Sequence, residues 1–418
     1  MIRSDALAPL RERNFRWYAA SRLVNMAGGT MASVALAFAV LEVSDSPSAL
    51  GTVLAAISIP MVVFLLAGGV VADRFGRTLV IQASNVVAGL SQLAIAVLVL
   101  SGHARIWQLV VLAALIGTAS ALSFPALASV MPQLVPREQL QQANVLMSMM
   151  RGALTVIGPS VAGILVVTVG PGWALVVDGV SYLGAALLLL PVHIPRRERG
   201  TETPGMLAEL REGWTVFRGT TWLWVVVASF AVLNAIHSGA ITTLGPVLAK
   251  QSDIGERGWG LILSAEAIGL LLMTFVMIRV RLERPLLWGM LGVGLLGAPM
   301  LMLGLYPQTL AVMAVALLAG AGVEVFNLGW NLAMQENVPD EMLSRAYSYD
   351  ALGSFVAIPV GQLLFGPLGA AFGIQRVILV GGIAYVGIAL LTLASRSVRT
   401  LPRASGISTT SAPAPAGP

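Results

Sequence analysis

Several ionisable side chains interrupt long apolar stretches of the sequence, and they could move a proton. Glu266, Glu324 and Asp350 carry carboxyl groups, whereas Arg151 carries a cation that could act on one of them. A charged group in a nonpolar medium costs about 2.5–3.5 kcal/mol on insertion scales, so such groups usually mark functional positions. A carboxyl group in a low-dielectric environment keeps its proton closer to neutral pH, as a proton carrier requires.

These ionisable residue types, at positions within apolar stretches, predict proton coupling. We expect Glu324 or Glu266 to carry the coupling proton, with Arg151 as the counter-charge or as the binding group for an anionic substrate. Asp350 is a further candidate, for which a packing contact near the start of its helix is the alternative. Asp178 lies on a helix expected to be peripheral, so a structural hydrogen bond explains it better.

A second set of side chains combines aromatic rings, methionines and amides, and could line a substrate cavity. Such walls suit bulky amphipathic compounds, because methionine and aromatic groups repack around varied shapes. The same residue types also occur in ordinary helix packing. Arg22 is near enough to the end of its apolar stretch to extend towards water. The cavity candidates are Asn25, Phe124, Met147, Met150, Phe230, Asn234, Phe326, Asn327 and Trp330.

The composition indicates what kind of element positions these groups. The chain has 418 residues, of which 57% are hydrophobic and 11% are charged. A soluble protein carries about 25% charged residues, which it needs to cover its surface. A bilayer removes that need. The sequence therefore predicts a polytopic membrane protein that has the lipid bilayer as a partner.

The composition also excludes several kinds of chemistry. The chain has no cysteine, so it has no disulfide and no thiolate site. Its only lysine, Lys250, precedes Gln251, so a phosphate-binding loop ending in Gly-Lys-Ser/Thr is absent. Three histidines argue against a metal centre. We expect no enzyme activity, no cofactor and no metal, and we attribute the net charge of +5 to cytoplasmic loops instead of nucleic-acid binding.

Apolar runs of the length that crosses a bilayer, about 20 residues, occur twelve times. They predict an all-α integral membrane fold with two pseudo-symmetric six-helix bundles at 15–194 and 221–395. A cytoplasmic N-terminus (1–14), a cytoplasmic central loop (195–220) and a disordered cytoplasmic tail (396–418) complete the chain. The predicted spans are 15–41, 48–72, 78–101, 105–131, 140–169, 172–194, 221–249, 258–280, 285–306, 308–335, 343–372 and 374–395.

The basic residues predict the orientation of these spans. With a cytoplasmic N-terminus, the inner segments hold 19 Lys and Arg residues and the outer loops hold four. Because cytoplasmic loops are enriched in Lys and Arg, this distribution places both termini in the cytoplasm. We predict a multi-pass protein of the inner cell membrane.

The two halves of the sequence resemble each other. The segment that starts at Pro132 aligns, 203 positions later, with the segment that starts at Gln335. A Val-Pro-x-Glu turn precedes the fifth span in one copy and the eleventh span in the other. Two similar bundles that face each other provide a substrate path between them.

The loop between the second and third spans, in the stretch GGVVADRFGRT, contains an unusual cluster of charges and glycines. Gly69 allows close helix packing, and Gly76 permits a tight reversal at positive φ. Arg74 and Arg77 fit a cytoplasmic position. Asp73 could pair with an arginine or a helix N-terminus and so latch the two bundles in one state.

This pattern, Gly69-x-x-x-Asp73-Arg74-x-Gly76-Arg77, resembles the signature of the major facilitator superfamily. The stretches FPALASVMPQLVPREQLQQANVL and VPDEMLSRAYS resemble its drug-proton antiporter branch, which contains macrolide-efflux and siderophore-export permeases. The resemblance covers residues 15 to about 395. It implies an alternating-access fold in which the cluster acts as a conformational latch, and a transporter that works as a monomer.

Two details differ from that branch. Its antiporters often carry Gly-Pro-x-x-Gly-Gly in the fifth span, where this chain has GPSVAG. Gly158, Pro159 and Gly163 match this helix-packing motif, whereas Ala162 replaces a glycine. The fourth span has no charged residue, so the arginine-containing element that many drug antiporters carry there is absent.

The predicted function is export of a small amphipathic compound, a drug-like molecule or secondary metabolite, in exchange for protons. An importer of a small metabolite, either proton-coupled or facilitated, is the alternative within transport. A membrane sensor or scaffold that transports nothing is the alternative from another class, although the sequence offers no large soluble domain for it.

Overall fold

The computed structural model describes residues 7–192, 217–280 and 282–402. Within these ranges the regular structure is helical, and twelve helices are long and apolar enough to cross a membrane. The predicted all-α architecture with twelve spans is therefore confirmed. Most of the predicted central loop, residues 195–216, lies outside the described residues.

The helices of the N-terminal half are α1 (Arg13–Val43), α2 (Pro47–Phe75), α3 (Arg77–Leu100), α4 (Ile106–Val130), α5 (Leu140–Val169) and α6 (Pro171–Leu188). Those of the C-terminal half are α7 (Thr221–Lys250), α8 (Gly255–Met277), α9 (Pro285–Leu305), α10 (Thr309–Asn337), α11 (340–372) and α12 (Ile374–Thr392). We call the end of the molecule where α1 ends and α2 begins the outer end, since the charge distribution predicts it to be extracellular. The opposite end is the inner end.

Three short connections between consecutive helices depend on glycine. Gly76, Gly170 and Gly373 have φ angles of +94°, +88° and +90°, and each directly precedes a helix. Residues with a side chain rarely adopt this conformation, so glycine allows the chain to reverse without a longer loop. Gly170 and Gly373 are 203 positions apart, so the repeat seen in the sequence extends to these turns.

Three helices of the C-terminal half are interrupted, whereas the sequence predicted them to be continuous. A π-helical turn, Ser238–Thr243, divides α7. In α9 the helix stops after Gly294 and resumes at Gly297, and in α11 it stops after Phe355 and resumes at Ile358. Pro299 and Pro359 follow the last two breaks. A proline ring clashes with the carbonyl group four residues earlier, which is where both helices are interrupted.

The C-terminal end also differs from the sequence prediction. Arg396–Arg399 forms a short helix whose Val398 is buried next to α7 and α9. The predicted disordered tail therefore does not begin at residue 396, because Val398 anchors the first residues. Residues 403–418 lie outside the described residues.

Glycines set the closest helix crossings in both halves. The backbone of α2 at Ile57 approaches α4 at Gly117, and the backbone of α8 at Glu266 approaches α10 at Gly320. In each case a Cβ atom on the glycine would overlap the facing carbonyl oxygen. Small residues allow such backbone contact between membrane helices. Since Gly117 and Gly320 are also 203 positions apart, the two crossings are equivalent.

Candidate substrate path and coupling residues

The two halves meet at the outer end through two equivalent pairs of helices. α2 packs on α11, where Gly51 faces the Gln362 carbonyl and Gly366 faces Ser48. α5 packs on α8, where Gly260 faces the Pro159 carbonyl and Gly163 faces Arg257. Pro159 and Gln362 are 203 positions apart, as are Gly163 and Gly366. Equivalent backbone contacts in the α2–α11 pair and the α5–α8 pair therefore close the outer end.

Polar contacts accompany this closure. The Ser160 hydroxyl of α5 donates to the Ser264 hydroxyl of α8 at 2.7 Å. At the end of α7, the Lys250 ammonium donates to the Leu41 carbonyl at 2.5 Å and to the Asp45 carboxylate at 2.9 Å. Lys250 thus connects the C-terminal half to the last turn of α1 and the loop that follows it.

Towards the inner end the packing is different. The first segment of α11, Asp340–Phe355, packs on α7 and α10 of its own half. On α5, Gly152 faces Leu271 of α8, about two turns inward from the Ser160–Ser264 hydrogen bond. The extensive contacts between the halves in the described residues thus lie at the outer end, as expected for a path that is accessible from the inner end.

Glu266 lies at the α8–α10 crossing, half-buried. Its carboxyl group is close enough to Tyr385 of α12 to interact electrostatically. No hydrogen bond or ion pair holds this carboxyl group among the residues that the structure describes. At the equivalent crossing of the N-terminal half the same position is Ile57. Because an isoleucine makes the same crossing, the helix packing does not require an acid at residue 266.

Glu324 is half-buried on α10 and faces the side chains of Thr274 and Asn327. The repeat places Ala121 of α4 at its equivalent position, 203 residues earlier. Glu324 therefore shares two properties with Glu266: it interrupts an apolar span, and its counterpart in the other half is neutral. Both remain predicted proton carriers.

Asp350 is more firmly held than the two glutamates. Its carboxylate accepts a hydrogen bond from the Trp330 indole at 3.0 Å and one from the Ser354 hydroxyl at 3.3 Å. The Trp330 bond joins α11 to α10 within the C-terminal half, whereas the Ser354 bond lies within α11. They support the packing alternative for Asp350 more than the coupling role.

Aromatic rings predicted to line the cavity stack between α7 and α10. The Phe230 and Phe326 ring centroids lie 4.2 Å apart, and those of Phe326 and Trp330 lie 6.0 Å apart. Trp222, which the sequence reading did not single out, meets Trp330 edge-on at 5.9 Å. Phe326 and Trp330 are buried, whereas Phe230 is partly exposed. In this conformation the rings contact one another, and Phe230 is the member that a ligand could reach.

The other cavity candidates are spread over both halves. The Asn234 amide donates to the Ser354 carbonyl at 3.0 Å, which ties α7 to α11. Phe124 and Asn327 are exposed, Met150 is half-buried, and Met147 is buried in a core cluster. The structure does not gather these residues around one point, so their role as substrate contacts remains a prediction.

A polar cluster in the N-terminal half centres on Arg22. Its guanidinium donates to the Asn25 side-chain oxygen at 3.1 Å and interacts electrostatically with Tyr18, Tyr182 and Arg151. Arg22 is partly exposed, and the extension of its side chain towards water remains a prediction. Tyr18 lies one turn before Arg22 on α1, whereas only the packing of α1 against α6 brings Tyr182 here, so the sequence alone could not indicate Tyr182.

The predicted latch is described in part. Gly76 has the positive φ that the tight reversal requires. The Arg74 guanidinium lies 5.7 Å from the centroid of the Phe75 ring, and both side chains are exposed. The side-chain surroundings of Gly69 and Asp73 lie outside what the structure describes, so the latch, including Arg77, remains a prediction.

The predicted helix-packing residues of α5 contact two helices. Gly158 faces Thr30 of α1, whereas Pro159 and Gly163 face α8 as described above.

Elsewhere in the N-terminal half, Asp178 of α6 is buried beside Gly28 of α1, and the Ser181 hydroxyl also lies beside Gly28. Within the described residues no group of His, Asp and Glu side chains could hold a metal ion.

A comparison with family models identifies this architecture. The model of the Major Facilitator Superfamily matches residues 18–361. The chain belongs to the major facilitator superfamily. Members are membrane transporters of small molecules and not enzymes, so this protein is a multi-pass transporter. The resemblance that the loop motif and the repeat suggested is confirmed.

Curated relatives include several exporters. Macrolide efflux protein A of Streptococcus pyogenes is 22% identical over 91% of this chain and 96% of its own length. The multidrug efflux pump Tap of Mycolicibacterium fortuitum is 24% identical over 84% and 88%. The enterobactin exporter EntS of Escherichia coli O1:K1 is 26% identical over 74% of both chains.

Solved structures share the fold. The crystal structure of the nucleoside transporter NupG superposes with a TM-score of 0.71 at 13% identity, and covers 91% of this chain and 98% of that one. At this level of identity the likeness concerns the fold alone.

Proposed function

We propose that this transporter exports small amphipathic compounds by proton antiport. Protons would move into the cell while the compound moves out, and both ligands would use the path between the two halves in turn. The relatives named as efflux proteins support the direction of transport. The localisation that we propose is the inner cell membrane, with both termini in the cytoplasm and a monomer as the working unit.

The placement of Glu266 is the observation that carries the coupling proposal. A carboxyl group inside a membrane helix is costly unless it has a function, and Ile57 makes the equivalent crossing without one. The Glu266 carboxyl group has no hydrogen bond or ion pair among the described residues, so it is free to exchange a proton. Glu324 is the second candidate, for the same reasons of position and repeat.

Alternating access would connect this proton to transport. The outer contacts, α2 on α11 and α5 on α8, close the path on one side, so the ligand and Glu266 would communicate with the inner side. When the halves rock, these contacts would separate and inner contacts would form. Proton release inside and substrate release outside would then drive the cycle in one direction.

Inside-out vesicles provide the test. A pH-sensitive dye reports the proton gradient while macrolides, cationic dyes and anionic dyes are added in turn. We expect the wild type to dissipate the gradient with some compounds, and Glu266→Gln to bind these compounds without moving protons. Glu324→Gln tests whether Glu324, and not Glu266, carries the proton. Glu283→Gln, in a loop outside the spans, is the matched control.

Two results would contradict the proposal. If both membrane glutamates can be replaced together without loss of proton movement, neither carries the proton. If no compound moves protons but a metabolite accumulates in right-side-out vesicles, the protein is an importer.

A further inference from the structure

The cluster around Arg22 combines two arginines without a carboxylate. Arg22 on α1 and Arg151 on α5 are close enough for their charges to interact. Within the residues that the structure describes, neither guanidinium has an ion-pair partner. Asp178, the buried acid of α6, interacts with Tyr182 but does not pair with Arg22. Two positive charges in the hydrocarbon region are unfavourable when no acid lies between them. A bound anion would stabilise this pair.

An amide in the same cluster also lacks a partner. The side-chain oxygen of Asn25 accepts the hydrogen bond from Arg22, which turns the side-chain nitrogen of Asn25 away as a donor. This nitrogen is buried and has no hydrogen-bond acceptor among the described residues. A buried donor without an acceptor costs about 1–3 kcal/mol. The Asn25 nitrogen and the exposed guanidinium of Arg151 thus carry donors that have no acceptor among the described residues.

The two helices hold the arginines at the same depth. Thr30 of α1 contacts Gly158 of α5. Arg22 is eight residues before Thr30 and Arg151 is seven residues before Gly158, so both lie about 11 Å towards the inner end from this contact. Since Gly152 faces Leu271 of α8, the neighbouring Arg151 lies next to the seam between the halves. The position is inward of the outer closure, on the side from which a ligand would enter.

The repeat shows that the fold does not require this charge. The position equivalent to Arg151 in α11, 203 residues later, is Ser354. The α7–α11 pair packs in the same manner as α1–α5, through Gly361 in place of Gly158. A serine therefore suffices in the half that has no positive cluster.

From these observations we propose that Arg22, Arg151 and Asn25 form a binding site for the anionic group of the transported compound. The substrates are then amphipathic organic anions, such as carboxylates, phenolates or phosphate esters. The transport of these anions rests on the proposed function, whereas their binding to the site does not. The planar guanidinium groups match the oxygen pairs of such anions, and the Asn25 amide supplies a further donor. The net positive charge of the site disfavours cationic compounds of the same shape.

A pair of dyes with one scaffold and opposite charge tests the site. Carboxyfluorescein is an anionic xanthene and rhodamine 6G is a cationic one. Binding to the purified protein is measured by fluorescence anisotropy, which does not depend on transport. We expect the wild type to bind carboxyfluorescein at least tenfold more tightly than rhodamine 6G. Arg151→Gln and Arg22→Gln should each weaken carboxyfluorescein binding at least tenfold, whereas Arg151→Lys should weaken it less.

Arg376→Gln is the matched control, since Arg376 is exposed in the first turn of α12, at the outer end. Carboxyfluorescein binding by this variant should equal that of the wild type. If the glutamine variants do not give a monodisperse protein, the dye preference of the wild type decides the question. Preference for rhodamine 6G, or no carboxyfluorescein binding up to 1 mM, would overturn the site.

Equal carboxyfluorescein binding by folded Arg151→Gln, Arg22→Gln and the control would overturn it as well. A transport measurement in vesicles separates this inference from the proposed function. If carboxyfluorescein binds in an arginine-dependent manner but is not exchanged for protons in vesicles, the site stands and the antiport proposal fails.

Discussion

Replacement of Gly366 by alanine should open the outer end of the transporter. Gly366 lies on α11, and a Cβ atom there would be 2.6 Å from the Ser48 Cα and 2.9 Å from the Pro47 carbonyl oxygen of α2. Ordinary contacts of a Cβ atom begin at 3.4 Å, so the two helices would have to separate by about 0.8 Å. Both facing atoms belong to the backbone and cannot rotate away.

The size of the effect follows from the cost of overpacking. An extra methyl group in a well-packed interface costs about 1–3 kcal/mol. The Gly366 contact joins the two halves, so it must separate when the outer end opens and the cost falls on the closed state alone. The equilibrium should therefore shift towards the open state by about 5- to 150-fold.

Chemical labelling of a single cysteine measures this shift. The chain has no cysteine, so Ser160→Cys introduces a unique thiol. Ser160 contacts Ser264 on the α5–α8 pair, away from the mutated α2–α11 pair. A membrane-impermeant maleimide added to whole cells should react with Ser160→Cys at a rate proportional to the open population. Adding Gly366→Ala should raise that rate by the factor given above.

The control is Gly387→Ala on α12, where an added Cβ atom meets nothing within 4 Å. Its labelling rate should equal that of Ser160→Cys alone. If Gly366→Ala labels no faster than this control while the protein is present in equal amount, the α2–α11 contact does not hold the outer end closed. If the reagent reaches the thiol only in inside-out vesicles, the predicted orientation is wrong.

Three further predictions concern contacts that join helices. Ser160→Cys combined with Ser264→Cys should form a disulfide under oxidation and stop transport until a reductant is added, whereas either single variant should remain active. Lys250→Met should raise the labelling rate less than about fivefold, because an ion pair with an exposed carboxylate contributes less than about 1 kcal/mol; a larger increase would make Lys250 a principal part of the closure. Trp330→Phe should lower thermal stability by about 1–3 kcal/mol, through loss of the bond to Asp350, and an unchanged melting temperature in the same detergent would contradict this role.

The sequence predicts the helices well because a bilayer imposes a simple rule on it. Each span must be apolar for about 20 residues, so hydropathy identifies all twelve spans. The breaks before Pro299 and Pro359 follow from the ring clash, and the sequence could have indicated them. The π-helical turn at Ser238–Thr243 has a similar signal, because Pro246 follows Thr242 by four residues.

The candidate site could be predicted only in part. Depth along a helix is readable from the sequence, which indicates that Glu266 and Arg151 are ionisable groups within the membrane. Which helix faces each of them is not readable. The equivalence of Glu266 and Ile57 depends on an offset of 209 positions in α2 and α8, whereas the sequence repeat was recognised at 203. The proximity of Arg22 to Arg151 likewise requires the packing of α1 on α5, whereas Asn25 is three residues from Arg22 on the same helix.

The composition of the outer closure has a consequence for the environment in which the transporter works. Its principal contacts, on Gly51, Gly163, Gly260 and Gly366, join uncharged backbone atoms. Dissolved ions screen charges over about 8 Å at physiological ionic strength, but they have little effect on contacts without charge. Apart from the bond between Lys250 and Asp45, the opening of this end should therefore be nearly independent of external salt. A cell that moves between dilute and saline media would keep the same balance between the open and the closed outer end.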